Sequence, residues 1–452
     1  MNADFIWFQI IQPALHAEHL SQYLVNDKLK DLQEWILLNV FINYTKINTT
    51  TSRENGANGI MPSSPGQMEL AKLLAAELEA LGMENIKVRD TAIVTATLPA
   101  NTDDTIPVVS FFGHLDTSAE QTADTKAQRL HYLGGDLCLN KALNIYLRES
   151  EFPELKNYIG DDLLVTDGTS LLGADDKAAI AAIMNALAYL VAHPEIKHGP
   201  VKVGFVPDEE QGLRGAKAFD VAAFGADFGY TLDCCGIGEF VYENWNAGDA
   251  EIIFTGQSAH PMSAKGKLKN SLLMAHKFIS MLPGGEAPEY TEGREGYYWV
   301  KQLQGNSART VLKLDIRDFS EEGYKARMAF IRQLAVSTCA LWGENSVVCH
   351  LADRYQNVFN SLQGDARYPI DIALRAYQKC GITPAPVAMR GGYDGAVLSQ
   401  KGLPCPNIFT GAHNFHSIYE YLPVRSLRAA SDVVVAVIEE TYAEFAQRGT
   451  QP

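Results

Sequence analysis

Short apolar runs that end at acidic or histidine residues recur along the chain. Residues 107–113 (PVVSFFG) and 201–207 (VKVGFVP) have the uninterrupted apolar pattern of strands that are buried on both faces. Residues 228–232 (FGYTL) and 406–411 (PNIFTG) have the same form. We therefore expect these four segments to be buried strands.

Helical patterns lie between these runs. Residues 64–82 begin at Ser64 or Pro65 and end at Gly82, and residues 171–193 pass from a glycine-containing turn into a second helix. The alternation of strands and helices predicts an α/β fold with a mixed sheet. The buried faces should contain Leu70, Leu73, Leu74, Leu78 and Leu81 in the first helix, and Ile180, Ile183, Leu187 and Leu190 in the second.

The pattern changes between residues 242 and 353. Strands are predicted at 250–256 and 311–319, where Leu312, Leu314 and Ile316 alternate with polar residues, and helices at 270–282 and after Ser320 as N-cap. Two strands with two helices on one face predict an inserted α+β lid domain. The expected organisation is an N-terminal extension (1–28), a catalytic domain (29–241 and 354–452) and the inserted domain (242–353).

The composition is that of a globular protein with about two domains. Hydrophobic residues make up 46% of the chain and charged residues 20%, and the net charge is −16 at pH 7. Such a charge argues against a nucleic-acid partner, because binding to phosphates requires clustered Lys and Arg. No apolar run approaches the ~20 residues of a membrane helix, so no membrane partner is expected. A peptide substrate fits this composition better.

The cysteines and the first residues of the chain bear on its compartment. Seven cysteines without a CxxC pair do not suggest a disulfide framework, so a reducing compartment is the default. The first 20 residues lack the positively charged start of a signal peptide. We expect a cytoplasmic protein.

Acidic and imidazole side chains collect where the predicted strands end. Open α/β sheets bind ligands at the carboxyl ends of their strands, so we expect these side chains to meet at one edge. Each group alone is a weak signal, since a single histidine is more often structural and an acid pair more often a solvated corner. Their joint placement favours a catalytic metal site of the His, Asp and Glu type. The groups are His114 with Asp116, Asp175 with Asp176, Glu209 with Glu210, Asp233, and His416.

A family resemblance appears in the same segments. The motifs GHLDTS, LLGADDKAA, PDEEQG, YTLDCCG and NFHS follow the motif order of the zinc aminoacylase and carboxypeptidase clan of metallopeptidases. Within that clan the chain most resembles the tripeptide aminopeptidases, through TDGTSLLGADDKAAIAAIM, RGGYDGAVLSQKGLPCPNIFTG and TGQSAHP. The resemblance covers nearly the whole chain after about residue 28. It implies a di-zinc exopeptidase domain with an inserted lid.

The resemblance also implies how two zinc ions are held. His114, Asp175 and Asp233 should bind one zinc ion, and Glu210, His416 and the same Asp175 should bind the other. Asp175 rather than Asp176 is expected to bridge the ions, and the peptide bond between these two residues is expected to be cis. His416 is preferred over His413 because NFHS matches the NFHG pattern of the family.

Further roles follow from the same resemblance. Glu209 should be the general base for a metal-bound hydroxide, and Asp116 should accept the other imidazole N–H of His114 and orient that ring. His260 of the inserted domain should face the developing oxyanion. Arg317 and Arg390 should grip the C-terminal carboxylate of a short peptide. For His260 a simple His-Pro turn, and for the arginines an ordinary surface role, are the alternatives.

The sequence is therefore consistent with three functions. The first is hydrolysis of the N-terminal peptide bond of short peptides, above all tripeptides. The second is an amidohydrolase of the same clan that acts on dipeptides or N-acyl amino acids, and the third is an inactive binding protein. The complete set of ligands together with Glu209 disfavours the third. A homodimer formed through an exposed edge of the inserted domain is a further possibility.

Overall fold

The structure is a computed structural model that describes residues 29–122 and 124–446 of the chain. By their contacts these residues form two compact units. The first contains the chain up to Tyr242, Gly364–Val387 and the chain from Tyr393 onward, and the second contains Glu243–Gln363 with Ala388–Gly392. The predicted inserted domain was 242–353, so the second unit runs ten residues further and includes a short separate segment. The predicted extension, 1–28, lies outside the described residues.

Helices and strands are numbered along the whole chain. The helices of the first unit are α1 (Leu29–Thr45), α2 (Arg53–Ala57), α3 (Pro65–Ala80), α4 (Ala174–Ala192), α5 (Arg214–Ala218), α6 (Val221–Phe224), α9 (Tyr368–Lys379), α10 (Asp394–Gln400) and α11 (Val424–Ala446). Its large sheet contains β1 (Glu84–Val88), β2 (Val94–Leu98), β3 (Val109–His114), β8 (Val201–Val206), β9 (Phe228–Cys234), β10 (Glu239–Asn244), β15 (Ala385–Met389) and β16 (Asn407–Phe409).

The large sheet has a parallel centre with antiparallel flanks. Its strand order is β1-β2-β8-β3-β9-β16-β10-β15. The four central strands β8, β3, β9 and β16 are parallel to one another, whereas β1 with β2, β2 with β8, and β10 with β16 pair in the antiparallel sense. These central strands are the four predicted from their apolar runs. The predicted α/β fold with a mixed sheet is confirmed, and the carboxyl ends of the four strands share one edge.

Helix α4 lies in the middle of the first unit. It packs against β3 and β9 on one side and against α1 and α11 on the other. The predicted apolar face is buried, but so are the alanines between its members, because a second layer of helices covers the face that an amphipathic helix would expose to solvent. Asp175 and Asp176 have non-helical backbone angles and stand at its beginning, and the peptide bond between them is cis.

Smaller sheets complete the first unit. One has the order β17-β7-β4, formed by Leu422–Pro423, Asp162–Val165 and Gln128–His131, and the other is a hairpin of β5 (Leu137–Asn140) and β6 (Ile145–Leu147). They share a buried cluster that includes Tyr132, Leu147, Tyr158, Leu163 and Tyr421. The sequence patterns did not predict these strands, because runs of three or four residues carry too little periodicity.

The second unit is an antiparallel sheet with helices on one face. Its strand order is β12-β13-β11-β14, formed by Tyr297–Gly305, Arg309–Asp318, Asn246–Thr255 and Val347–Tyr355, with α7 (Ser271–Ser280) and α8 (Glu321–Trp342) packed against it. Ser320 caps α8 as predicted, since its hydroxyl accepts the N–H of Gly323 at 2.9 Å. The core contains Ile252, Phe254, Met274, Phe278, Leu312, Leu314, Ile316 and Ile331, each 1% exposed or less.

The prediction of two strands in this unit was wrong, since there are four. The missed strands β12 and β14 form the two edges of the sheet. Most of β12 is exposed, so the run at 297–305 lacks the apolar alternation that marks the central strands.

Two further sequence predictions can be compared with the structure. All seven cysteines are free thiols, which agrees with the expectation of no disulfide framework. Within the described residues, no helix has both the length and the apolar character needed to cross a membrane.

A partly buried carboxyl group links α1 to α3. The hydroxyl of Tyr44 donates to Glu77 Oε2 at 2.5 Å, and burial raises the pKa of Glu77 from its ordinary 4.5 to about 7, although the hydrogen bond from Tyr44 opposes the shift. Because the folded state binds this proton more tightly than the unfolded chain, the stabilising effect is fully present below about pH 4.5 and is lost as the pH rises through 7.

We therefore predict that Glu77→Gln removes part of the pH dependence of stability. Relative to the variant, the wild-type free energy of unfolding should fall by on the order of 1–3 kcal/mol between about pH 5 and pH 8. Urea unfolding at several pH values measures this difference. Parallel pH profiles for the two proteins would contradict the prediction.

Candidate metal centre

The carboxyl edge of the central strands carries the predicted metal ligands. Strand β3 ends at His114, β9 reaches Asp233 one residue before its end, and β8 is followed by the turn that contains Glu210. Asp175 stands at the start of α4, directly after a turn at Gly173 with a φ of 75°. His416 lies in the loop after β16, and its own φ of 62° is unusual for a residue with a side chain.

The carboxylate of Asp175 joins two groups of potential ligands. Its Oδ1 lies 2.9 Å from His114 Nε2, and its Oδ2 lies 3.1 Å from His416 Nε2. His416 Nε2 is also 2.7 Å from Glu210 Oε1. Ligand atoms within 4.8 Å of one another define one group of His114, Asp175, Asp176 and Asp233, and another of Asp175, Glu210 and His416. Asp175 belongs to both.

Backbone groups orient the ring of His114. Its Nδ1 lies 3.0 Å from the carbonyl oxygen of Asp116, which is nearer than the Asp116 carboxylate at 3.5 Å. A proton on Nδ1 donated to that carbonyl would leave Nε2 available to bind a metal ion beside Asp175. The main-chain oxygen of Asp116 is thus the closer acceptor, and the orienting role expected of its carboxylate stays a prediction. The N–H of His114 is bound by Asp176 Oδ2 at 2.9 Å.

The carboxylate of Asp116 holds the turn that carries both glutamates. Its Oδ1 accepts the N–H of Glu209 at 2.9 Å, and its Oδ2 accepts the N–H of Glu210 at 3.2 Å. Asp116 itself is fully buried. One carboxylate therefore fixes the backbone at two successive residues, and it does so with a separate oxygen for each.

Asp233 is held in a similar way by a residue that the sequence analysis did not single out. The side chain of Asn407 accepts the N–H of Asp233 at 2.7 Å and donates to its carbonyl oxygen at 3.0 Å. Asn407 is fully buried in β16. A polar amide inside an apolar strand run was the available signal, because buried polar groups need hydrogen-bond partners.

Three more buried acids near the ligands were not assigned from the sequence. Asp208 accepts hydrogen bonds from Ser63, Gln67 and Arg214, and it begins the turn that carries the two glutamates. Burial raises the pKa of Asp394 to about 7 and likewise that of Glu420 to about 7. Asp394 Oδ1 has no hydrogen-bond partner among the described residues.

The electrostatics of the centre are dominated by buried negative charge. Burial raises the pKa values of Glu209 and Asp233 well above their ordinary range. Hydrogen bonds to Asp175 and Glu210 raise the pKa of His416 to about 11. The pKa of Asp175 is lowered, since the hydrogen bonds from both histidines outweigh its burial. Several carboxylates share one water-poor edge, and they require positive charge nearby.

His413 has a different environment from His416. Its ring stacks on Tyr421 with centroids 4.9 Å apart, and its Nε2 is hydrogen-bonded to the hydroxyl of Tyr158 at 2.7 Å. Burial lowers the pKa of His413 to about 4, so this histidine is neutral. Among the described residues only His416 of this pair belongs to a potential metal group.

The remaining predicted site residues lie in the second unit. His260 is exposed and caps a short turn by accepting the N–H of Met262 at 3.2 Å. Arg317 donates to the carbonyl oxygen of Gly248 at 2.8 Å and to Asp315 at 3.2 Å.

Arg390 stands above the ring of Trp245 at 4.8 Å and donates to Thr291 Oγ1 at 2.9 Å. In the described part of the chain Arg390 has no carboxylate partner, in contrast to Arg317. The roles of these three residues toward a substrate stay predictions.

The donor set fits a pair of divalent cations. Two imidazole Nε2 atoms and the carboxylates of Asp175, Asp233 and Glu210 match the ligand types of zinc. The carboxylate at the centre directs its two oxygens to two different histidines, which is the arrangement a bridging ligand requires. Buried Asp176 Oδ1 lacks a hydrogen-bond partner among the described residues, as a group beside a cation can.

A sheet edge that groups two histidines and several acids in this way defines a candidate dinuclear metallohydrolase. The model of Peptidase family M20/M25/M40 matches residues 173–440, and the chain belongs to this family. Its sequence is 46% identical to Peptidase T of Geobacillus sp. (strain WCH70) over 401 residues, which cover 88% of this chain and 97% of that protein. The resemblance predicted from the motifs is confirmed.

Solved structures share the fold. Aminopeptidase PepT from Bacillus cereus ATCC 10987 superimposes with a TM-score of 0.72 at 24% identity, covering 90% of this chain and 98% of that one. The YXEP protein of Bacillus subtilis, described as a dinuclear metal-binding peptidase of the M20 family, has a TM-score of 0.62 at 16% identity, with coverage of 92% and 99%. These likenesses support the fold class of a peptidase domain with a second α+β unit.

We predict that Asp116→Asn weakens metal binding. The amide of the asparagine has one oxygen, which can accept the backbone N–H of either Glu209 or Glu210, and its NH₂ group then faces the remaining backbone N–H. The turn that carries Glu210 is therefore held less firmly. Metal affinity should fall by about 10–100-fold. Equilibrium dialysis against zinc measures it, and Asp220→Asn, at the exposed N-cap of α6, is the matched control. Equal affinities in all three proteins would contradict the prediction.

Proposed function

We propose that the protein is a zinc-dependent aminopeptidase that hydrolyses the N-terminal peptide bond of short peptides, above all tripeptides. One observation carries this proposal: the two carboxylate oxygens of Asp175 each meet a different histidine, at 2.9 and 3.1 Å, at the centre of two ligand groups. Membership of a peptidase family and the similarity to Peptidase T support the hydrolysis of peptide bonds as the reaction.

Two zinc ions per chain fit the donor set. His114, Asp175 and Asp233 would hold one ion, and Asp175, Glu210 and His416 would hold the other. Bound zinc lowers the pKa of a coordinated water from ~15.7 toward ~7 and polarises a carbonyl group. The identity of the metal as zinc is part of the proposal.

Glu209 is the proposed general base. Its side chain belongs to neither ligand group, whereas its backbone is fixed beside Glu210 by the carboxylate of Asp116. It would take a proton from the attacking water and deliver that proton to the leaving amine. Positioned proton transfer of this kind contributes about 10²–10⁴-fold to the rate.

Recognition of the substrate is proposed for residues of the second unit. Arg317 and Arg390 would bind the C-terminal carboxylate, and His260 would donate to the developing oxyanion. Arg390 is the stronger candidate for the carboxylate, because Asp315 already lies 3.2 Å from the Arg317 guanidinium. A homodimer through the second unit and a cytoplasmic location, both expected from the sequence, stay predictions.

We predict that Glu209→Gln abolishes turnover but not metal binding. Wild type should release leucine from Leu-Gly-Gly, whereas the variant should lose about 10²–10⁴-fold in kcat, because it can no longer accept the proton. Zinc content should stay near two per chain in both proteins. Leucine release and metal analysis on the same preparations measure the two quantities.

A control variant and a comparison of three substrates, a tripeptide, a dipeptide and an N-acetyl amino acid, distinguish the proposed functions. Glu79→Gln, an exposed change on α3, should leave the rate unchanged. Cleavage of a dipeptide or an N-acetyl amino acid in preference to Leu-Gly-Gly would replace the tripeptidase proposal with the amidohydrolase alternative. Binding of peptides without any cleavage would favour the inactive binding protein.

We predict that Arg390→Gln selectively impairs substrates with a free C-terminal carboxylate. The ratio of kcat/KM for Leu-Gly-Gly to that for Leu-Gly-Gly-amide should fall by about 10-fold or more, because a charge-assisted pair is lost only with the first substrate. Arg317→Gln is the comparison: because the charge of Arg317 is already paired with Asp315, the ratio should fall by less in this variant than in Arg390→Gln. An equal loss on both substrates in Arg390→Gln would contradict the assignment.

A further inference from the structure

Glu420 is a buried acid that touches the backbone of the metal centre without belonging to either ligand group. It lies four residues after His416, immediately before Tyr421 and β17, and it is 1% exposed. Its own N–H donates to the carbonyl oxygen of Ser417 at 3.1 Å. The side chain is therefore anchored in the loop that presents His416.

The carboxylate of Glu420 accepts three backbone N–H groups from a segment 245 residues earlier in the chain. Oε2 binds the N–H of Leu172 at 2.9 Å and that of Gly173 at 2.8 Å. Oε1 binds the N–H of Asp175 at 3.0 Å. All three donors are buried, so one side chain satisfies groups that would otherwise be costly to bury.

These three amides belong to the turn that begins α4. The first N–H groups of a helix have no partner within the helix, and their dipoles favour a negative charge nearby. A side chain at the usual capping position does not serve them, because that position is Gly173. An acid from a distant loop supplies the cap instead, and it fixes the main chain of Asp175 directly.

The loop that carries Glu420 is itself well held. His413 and Tyr421 form an antiparallel bridge, and Asn414 donates to the carbonyl oxygen of Tyr419 at 3.0 Å. Leu422 then pairs with Leu164 in β7. Glu420 thus connects a stiff loop that presents His416 to the turn that presents Asp175, and these are two of the three ligands in the second group.

We propose that Glu420 is a positioning residue that sets the distance between Asp175 and His416 and thereby the affinity of the Glu210–His416 metal position. The proposal rests on the proposed dinuclear site. It does not require Glu420 to contact metal or substrate. The proposal predicts that the metal position formed by Glu210 and His416 depends on the Glu420 carboxylate more than the position formed by His114 and Asp233 does.

The test uses Glu420→Gln and Glu420→Ala in the full-length chain. In the glutamine variant the amide oxygen can still accept from Leu172 and Gly173, but the amide N–H faces the N–H of Asp175. Hydrogen–deuterium exchange of peptides covering residues 171–176 in metal-free protein should become at least about 10-fold faster. Zinc titration should show about a 10–100-fold loss at one of two positions, with the other changed less than about threefold.

Glu77→Gln is the control, because it removes a partly buried carboxylate of the same unit, one that is hydrogen-bonded to Tyr44 and not to a loop that carries a proposed ligand. It should leave both zinc affinities and the exchange at 171–176 unchanged. If Glu420→Ala does not fold, the glutamine variant decides the question. A lower thermal midpoint in Glu420→Gln with unchanged exchange and unchanged zinc affinities would show a merely structural role and overturn the proposal.

The two proposals fail in different ways. Wild-type protein that binds no zinc would overturn the dinuclear site and, with it, a role for Glu420 in metal affinity. Wild-type protein that binds two zinc ions, combined with equal losses at both positions in Glu420→Gln, would leave the site intact and overturn the selective role of Glu420.

Discussion

Negative charge buried at one edge of a parallel sheet is the constraint on which the rest of the structure depends. Ligand atoms of Asp233 and of Glu210 each lie within 4.8 Å of a carboxylate oxygen of Asp175, in surroundings that penalise ionised carboxylates. Such a group persists only when cations and N–H donors compensate it. The proposed metal ions supply the cations, and the fold supplies the donors.

In this fold, backbone segments that carry proposed ligands are hydrogen-bonded by side chains from distant parts of the chain. Asp116 holds the turn after β8, Asn407 brackets Asp233, and Glu420 caps the beginning of α4. Asp208 in turn is held by Ser63 and Gln67 near the start of α3. Each of these side chains is polar, and the hydrogen bonds that it makes offset the free-energy cost of its burial. Rigid placement of the ligands is thus obtained from satisfied backbone groups rather than from apolar packing alone.

The fold class and the grouping of ligands could be predicted from the sequence because both leave local signals. An apolar run marks a buried strand, and an acid or histidine at its end marks the functional edge, so the amino-acid pattern alone was enough to place His114 and Asp233. Glu420 and Asn407 could not be assigned in this way, because their roles depend on partners about 170–250 residues away. Strand β12 was missed for a different reason: an exposed edge strand does not need the alternation that reveals a buried one.

The distance in the chain between Glu420 and the turn it caps also has a consequence for biosynthesis. Asp175 leaves the ribosome 245 residues before Glu420. His416 leaves it only four residues before Glu420. While the chain is being made, the strands of the large sheet can form with four of the five proposed ligands in place, yet one proposed metal position still lacks both its histidine, His416, and Glu420, which fixes the backbone of Asp175. Binding of a metal ion at that proposed position would therefore wait until residues 416–420 have been synthesised and α11 can pack against α4.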